Sequence, residues 1–368
     1  MRIQVQHVSR ILESFRVAQV RGMFDLPPRT EHCEAFEAEL PLEELPWQIG
    51  AIVGPSGSGK TTLGRALFGV EAYVAGYPWP ENAAIVDAFP PQYSTREIVQ
   101  ALSAVGFSSP PHWLKRYSEL SAGQQFRCDL ARALLDDRPV VVMDEFSSLV
   151  DRRAAQVCCA SVARALRKRG RPKLIALTCH RDILSWLCPD WVYDTGQHRF
   201  FRPQRRCRPA VSLEIYRAAR ECWAMFSPHH YLSSELHHAA RCFVACWDGE
   251  PVAFTSYLPL YGRRGARREH RTVVLPDYQG LGIGNALSNW LGAWLKAQGQ
   301  RFYSVTSHPA MIRSRVRSGQ WKLLRFGHAS PARWPSASVG RVTATFLYIG
   351  PAITESPHAS AKTHIAVE

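Results

Sequence analysis

The chain has 368 residues, 46% of them hydrophobic and 21% charged, a balance that excludes a fibrous or fully disordered protein and suffices for about two cores. Its formal net charge of +14 favours anionic partners: nucleotides, a CoA-type cofactor, nucleic acid or an acidic membrane surface. No apolar stretch approaches the roughly 18 residues of a spanning helix, and ten cysteines without a CxxC pair fit free thiols in a reducing compartment.

The first twenty residues have no long apolar core after their basic start, so neither a signal peptide nor an anchor is expected, and a cytoplasmic location follows. Residues 1–48 carry short alternating stretches, Arg2 to Val8, Phe15 to Val20 and Cys33 to Leu40, around a Pro27-Pro28 turn; these predict antiparallel strands. An apolar run, Ile49 to Val53, then predicts a buried strand feeding Gly54-Pro55-Ser56-Gly57-Ser58-Gly59-Lys60-Thr61-Thr62. Glycines at that spacing let successive backbone N–H groups turn toward phosphate oxygens, and the helix that follows adds positive potential at its start. Lys60 has the reach of the β- and γ-phosphates, and the Thr61 hydroxyl is placed to ligate Mg²⁺, so this stretch is read as a nucleoside triphosphate site.

Farther on, Thr95 to Val105 has a helical pattern and Pro110-Pro111 breaks it. Leu120-Ser121-Ala122-Gly123-Gln124-Gln125 leads into a helix with apolar positions Phe126, Leu130, Ala133 and Leu134. The run Val140 to Met143 reads as a buried strand that ends in two carboxylates, Asp144 and Glu145. In phosphate-loop enzymes such an Asp holds Mg²⁺ through water, and a following Glu polarises the attacking water.

With these stretches in order, residues 1–200 resemble the ABC-type ATPase family. Gly54–Thr62 matches its Walker A, Leu120–Gln125 resembles its LSGGQ signature with Ala122 in place of the first glycine, and Val140–Glu145 matches Walker B. Ser148-Leu149-Val150-Asp151 resembles the D-loop, His180 sits where the switch histidine would be, and Gln92 is the candidate for the Q-loop glutamine. The resemblance implies a homodimer with ATP sandwiched between each phosphate loop and the partner's Ser121 and Gly123, Glu145 and His180 as catalytic residues, and Thr61 and Asp144 on Mg²⁺. The short stretch between Lys60 and Ser121 argues against a transporter subunit, and no membrane domain is expected.

Arg199 to Arg208 has five arginines and no apolar period; residues 201–209 are read as a linker, either solvated or anion-binding. The pattern restarts with an expected helix, Leu213 to Met225, a strand Ala240 to Trp247, an Asp248-Gly249 turn and a strand Val252 to Leu258. An excursion, Tyr261 to Glu269, precedes a strand at His270–Leu275. Gln279-Gly280-Leu281-Gly282-Ile283-Gly284 follows, before a helix from Asn285 to Leu295. Backbone N–H groups converging at such a helix start suit a diphosphate; dinucleotide binding is one candidate, although the acidic ribose partner of a nicotinamide site is missing. Leu275–Gly284 closely resembles the acyl-CoA loop of the GNAT acyltransferases, a likeness that spans residues 210–330 and implies acetyl-CoA or a related thioester as donor.

Polar groups that suit the transfer chemistry are Tyr303, Ser304, Thr306, Ser307 and His308 near the strand Phe302–Pro309, and Tyr257 on the hairpin. His229, His230, His237, His238, Cys242 and Cys246 invite a zinc site, but their spacing matches no usual framework. His229–Ser233 with Thr306–Pro309 faintly resembles the Mom-type DNA base modifiers. Arg263, Arg264, Arg267, Arg268, Arg271, Arg313, Arg315, Arg317, Lys322 and Arg325, around Trp321, suit a phosphate backbone, the 3′-phosphate of CoA or solubility alike. The fold expected is α/β: a phosphate-loop ABC-type ATPase domain (1–200), then a GNAT-like α+β acyltransferase domain (210–350), with 351–368 a disordered tail. The function expected is ATP hydrolysis joined to acyl transfer, with nucleic acid, a protein or a small amine as acceptor. The alternative is a nucleotide-dependent switch with an inactive second domain.

Overall fold

The computed structural model describes residues 2–10, 12–27, 31–43, 46–74, 76–203, 211–230, 234–328, 342–353 and 363–367. Its elements begin with β1 (Arg2–Arg10), α1 (Phe15–Phe24), β2 (Glu31–Glu39), β3 (Ile49–Val53), α2 (Lys60–Phe68) and β4 (Tyr73–Val74). They continue with α3 (Thr95–Ala104), α4 (Pro110–Trp113), α5 (Ala122–Leu135), β5 (Val140–Met143), α6 (Arg152–Arg169), β6 (Lys173–Thr178), α7 (Leu184–Leu187), β7 (Trp191–Asp194) and β8 (Arg199–Phe201). The C-terminal half holds β9 (Val211–Ala218), α8 (Trp223–Phe226), β10 (Arg241–Trp247), β11 (Glu250–Pro259), β12 (Ala266–Val274) and α9 (Ile283–Ala297). It closes with β13 (Arg301–Thr306), α10 (Pro309–Arg317), β14 (Trp321–His328), β15 (Val342–Tyr348) and β16 (Thr363–Val367).

Two compact units result, neither of them continuous in sequence: Met1–Pro78 with Arg132–Val150 and Ala163–Arg208, and Trp79–Ala131 with Asp151–Val162 and Pro209–Glu368. The last break between the units falls at Arg208 and Pro209, while Trp79–Ala131, between the phosphate loop and β5, groups with the C-terminal unit.

In the first unit a six-stranded sheet has the order β4-β5-β6-β3-β7-β8, parallel except for the β7–β8 pair. Parallel strands covered on both faces need apolar side chains throughout, and all five residues of β3 are buried. The core joins Ile52, Val142, Ile175, Leu177, Trp191 and Tyr193, with Leu63 of α2 packed on it. A separate antiparallel ribbon, β1 with β2, runs in register from Arg2↔Glu39 to Arg10↔Glu31. Phe15–Val20, expected as a strand, is helical instead: the Ser14 side chain caps α1 by accepting the N–H of Val17, and Arg21 pairs with Glu13. Likewise Arg199–Phe201 is a strand on β7 rather than linker, while residues 204–210 lie outside the described residues.

The second unit is built on an eight-stranded sheet, β14-β15-β13-β12-β11-β10-β9-β16, in which only β12 and β13 run parallel. The expected helix from Leu213 is a strand to Ala218, because Val211, Leu213 and Ile215 are buried at a period of two. Helical structure starts only at the short turn before Trp223. β12 starts four residues earlier than the strand read from the sequence. The expected disordered tail is corrected at Thr363–Val367, which adds an antiparallel edge to β9 from Thr363↔Ile215 to Val367↔Val211; residues 354–362 lie outside the described set. Trp223, Phe226, Cys242, Val244, Phe254, Leu258 and Val273 form the core on one face of this sheet. On α9, Leu287, Trp290, Leu291 and Leu295 are buried.

Candidate nucleotide and acyl-CoA sites

β3 ends at Val53, and the chain turns through Gly54 to Gly59 into α2, with Gly57 and Gly59 both at φ +77°. That left-handed conformation is why glycine stands there. A Cβ on Gly54 would strike the hydroxyls of Thr195 (2.1 Å) and Ser58 (2.7 Å), whereas one on Gly57 would meet none of the described residues within 4 Å. Lys60 folds back over the loop, its Nζ donating to the carbonyls of Gly54 (3.0 Å) and Pro55 (2.6 Å). The Thr61 hydroxyl donates to Asp144 Oδ2 at 2.7 Å, and the N–H of Glu145 donates to Oδ1 of the same carboxylate at 2.9 Å. Tyr73 anchors the start of α2 by donating to the Thr61 carbonyl; burial first, then the charge of Asp144, raises its phenol well above the ordinary range.

These groups line a cavity of about 280 Å³ that includes Ser56, Thr62, Glu145, Ser148, Thr178 and Cys179. Glu145 has φ +47° and Ser147 +66°, positions costly for residues with a Cβ and typical of functional turns. The phosphate loop, Asp144 and Glu145 thus come together around one space. The arrangement fits a triphosphate with a divalent cation: an open loop face, an ammonium group held over the loop by its own carbonyls, and a hydroxyl and carboxylate 2.7 Å apart. His180 does not line this cavity; its N–H donates to the Thr178 hydroxyl.

Ser121, Gly123 and Gln92 belong to the other unit. Ser121 starts α5 with a reciprocal cap, its N–H donating to Gln124 Oε1 (3.2 Å) while its hydroxyl accepts from the Gln124 N–H (3.4 Å). Gln92 is exposed on a turn.

The second site follows from how β12 and β13 part. They pair from Ala266↔Arg301 to Arg268↔Tyr303; beyond that β12 stays bonded to β11 and β13 to β15. The fork opens at Glu269. Its carboxylate accepts from the hydroxyls of Thr272 and Ser288 (2.8 Å each), from Ser304, and from Arg315 Nη2 at 2.9 Å. Burial opposes ionisation of Glu269, yet Arg315 and the three hydroxyls hold it below the ordinary carboxylate range. Arg315 is 1% exposed and lies over the Trp321 ring. It is therefore not available to track a phosphate backbone, which corrects the reading of that arginine. Arg267 and Arg271 are likewise engaged, with Gln300 and with the Glu235 and His270 carbonyls.

The residue that sequence reasoning missed is His270. The register of β11 and β12 slips there, Ser256↔Arg271 followed by Tyr257↔Glu269, so His270 is the extra residue of a bulge at the fork. Its Nε2 accepts the N–H of His237 at 3.2 Å, and the His237 and His238 rings stack 4.3 Å apart. Burial, then Arg271, Arg268, His237 and His230, push its imidazole down to about 4, so it is neutral at physiological pH. Among the proposed polar groups, Ser304 is buried in the Glu269 network, Tyr303 accepts from Arg263, and Thr306 accepts the N–H of His308. Tyr257 packs beside Phe243 and Trp294. Among the described residues no group of three or more His, Cys, Asp or Glu is placed to hold a metal, and Cys242 is core.

After β12 a short turn, Pro276–Tyr278, leads to Gln279; Gly280 (φ +95°) and Gly282 (φ +96°) complete the loop, and Gly282 caps α9. Leu281 and Ile283 are buried, anchoring the loop so that Gly282 and Gly284 stand at the helix start. A Cβ on Gly284 would touch Val274 at 3.4 Å. The geometry suits a diphosphate at the start of a 15-residue helix beside a strand fork.

Comparison with known proteins finds likenesses for both halves of the chain. Residues 210–314 match the model of the acetyltransferase (GNAT) family. The cytochrome c biogenesis ATP-binding export protein CcmA of Paracoccus denitrificans is 32% identical over 191 residues, which are 45% of this chain and 86% of that protein. The Nod factor export ATP-binding protein I of Paraburkholderia xenovorans is 31% identical over 174 residues, 38% of this chain; the match spans only 56% of that relative's own length. Among solved structures, a dimeric bacterial ABC transporter cassette aligns at 13% identity over 46% of this chain and 92% of its own (TM-score 0.36). The ribosomal-protein-S18-alanine N-acetyltransferase of Escherichia coli aligns at 16% over 40% and 99% (TM-score 0.31). The Mom-type likeness rests partly on residues 231–233, outside the described set. Among the described residues no helix is long and apolar enough to cross a membrane. With a triphosphate-shaped loop, its acidic strand and a CcmA relative covered over most of its length, the chain belongs to the ABC-type ATPase family through its N-terminal region and carries a GNAT-type acetyltransferase domain behind it.

Proposed function

We propose that the protein hydrolyses ATP in a nucleotide-sandwiched homodimer and uses an acyl-CoA to acylate an amine, with nucleic acid as the preferred acceptor class. The observation that carries the first half is the Thr61–Asp144 contact at 2.7 Å inside the phosphate-loop cavity, with Glu145 on its rim. Lys60 and the loop N–H groups would hold the phosphates, Thr61 and Asp144 the Mg²⁺, and Glu145 would orient water; His180 is assigned to sensing the γ-phosphate. Ser121 and Gly123 of the partner copy would complete the ATP site, with Gln92 in the Q-loop role. ATP with Mg²⁺ supplies a phosphoryl group activated for transfer to water.

For the second half, an acyl-CoA supplies an activated thioester, and Leu275, Gln279, Gly280, Leu281, Gly282, Ile283 and Gly284 would hold its diphosphate. The neutral His270 at the fork is the group we assign to accepting the amine proton, its Nε2 giving up the N–H of His237 to do so. Excess positive charge of +14 favours an anionic acceptor.

Replacing Glu145 by Gln is expected to stop ATP turnover and preserve ATP binding; rapid turnover by E145Q defeats the assignment. Acceptor class is tested by ATP hydrolysis and acetyl-CoA thiolysis measured together, with and without double-stranded DNA at two salt concentrations. Salt-sensitive stimulation supports nucleic acid. Thiolysis indifferent to DNA moves the acceptor to a protein or small amine.

A further inference from the structure

The helix that starts at the signature-like Ser121 reaches the loop read as the acyl-CoA site. Arg127 lies on the second turn of α5 and is fully buried, at 0% exposure. Its Nη1 donates to the carbonyl of Pro276 at 2.6 Å and its Nη2 to Asp277 Oδ1 at 3.3 Å. These two residues open the short turn that delivers Gln279. A buried guanidinium is a costly way to fill a core position, because desolvation of its charge offsets much of what its contacts return, and an apolar side chain would serve packing better.

The same loop is gripped at a second point. The N–H of Ser108 donates to Gln279 Oε1 at 2.9 Å, while Gln279 Nε2 donates to the Val274 carbonyl, so that side-chain amide is bonded on both sides. Gly280 lies so close to the chain at Gly106 and to Ser161 of α6 that an added Cβ would stand 2.8 Å from the Gly106 Cα and 2.2 Å from the Ser161 hydroxyl. Segments of the ATPase sequence therefore hold both the entrance and the first glycine of the loop, within one compact unit.

From this geometry we infer that Arg127 is a positioning residue through which ATP at Ser121 and Gly123 orders the acyl-CoA loop, so that ATP and acetyl-CoA bind with positive cooperativity. The inference rests on the acyltransferase reading above. A nucleotide that fixes the start of α5 fixes the Arg127 guanidinium two turns on; a loop already held costs less to order when the second ligand arrives. Linkage requires the effect to be reciprocal.

The test uses the full-length chain with Glu145→Gln, which prevents hydrolysis, and measures the Kd of acetyl-CoA with and without ATP and Mg²⁺, and the Kd of ATP with and without acetyl-CoA. ATP is expected to tighten acetyl-CoA by about fivefold or more, with the same factor in reverse. Adding Arg127→Met is expected to bring both factors to within about twofold of unity while ATP alone binds as before; Arg127→Lys restores part of the effect. Asp277→Ala, at a largely exposed carboxylate, is the second variant should R127M fail to fold, and is expected to weaken the cooperativity in part. Two ligands that bind independently in the parent, or cooperativity that survives in folded R127M, overturn the inference and leave the acyltransferase reading intact. Absence of acetyl-CoA binding in the parent, with ATP binding normal, overturns the acyltransferase reading and the inference with it.

Discussion

Two glycine loops at strand-to-helix junctions meet opposite surroundings. In the phosphate loop Gly54 is hemmed in by side chains, Ser58 of the loop and Thr195 after β7, while Gly57 has no described residue within 4 Å and stands beside a charged cavity. In the loop before α9 the close approach includes backbone, since Gly280 is pressed against Gly106 and Ser161, while among the described residues Gly282 has only Val367 within 4 Å, at 3.7 Å. The first loop thus has one glycine packed against side chains and one left open. In the second loop Gly280 is packed against backbone as well as a side chain, so a substitution there reports on the fold as well as on any ligand.

That contrast is broken most strongly at Lys60. Lys60→Ala is expected to lower ATP turnover by about a hundredfold or more with little change in thermal stability, because among the described residues its bonds are to loop carbonyls. A comparable loss of stability instead would mean that this loop too is structural. Next in size is the buried pair at the fork: Arg315→Met leaves the Glu269 carboxylate buried without its cation and is expected to cost about 3–5 kcal/mol in chemical denaturation. Since the folded-state pKa of Glu269 is lowered, its contribution is present above the ordinary glutamate range and is lost as pH falls below that range through the folded pKa. R315M should accordingly show a flatter fall in stability on acidification.

Glycine to alanine exchanges sharpen the comparison directly. Gly280→Ala is expected to destabilise by about 1–3 kcal/mol, part of it recovered by adding Ser161→Gly. Gly57→Ala, strained at φ +77° but unobstructed, is expected to cost about 1–2 kcal/mol with no such rescue. Equal rescue at both positions would erase the distinction. The smallest effect concerns His270. Its folded pKa, about 4, lies below the unfolded 6.5, so protons bind the unfolded chain first and stability declines as pH drops from 6.5 toward 4. His270→Gln is expected to flatten the melting temperature across that interval; an unchanged profile would show that the histidine is solvated.

The phosphate loop and the two carboxylates after β5 were legible because their chemistry is local: strand, turn and helix start are contiguous, and each residue type has one physical reason to be there. The glycine turn that opens α9 was legible for the same reason. What escaped was non-local. Phe15 to Val20 alternates like a strand, yet the cap at Ser14 makes it helical. Leu213 onward looked helical, yet its buried residues alternate once β10 and β16 flank it. His270 carried no signal in the sequence, because a bulge exists only relative to the neighbouring strand. Arg315 looked like one surface arginine among many; only the fork shows that Glu269, Ser288 and Ser304 surround it.

The chain passes between its two compact units five times. On a ribosome, the stretch 79–131 emerges well before Pro276 and Asp277, which receive the Arg127 guanidinium, so that charge waits in water until more than half of the remaining chain has been made. The first unit is likewise incomplete until residues 163–208 have been synthesised, and the second until the last strand docks on β9. Chain truncation anywhere before that strand removes an edge of a sheet, so late frameshifts in this protein damage the fold itself and expose unpaired backbone to association between nascent chains.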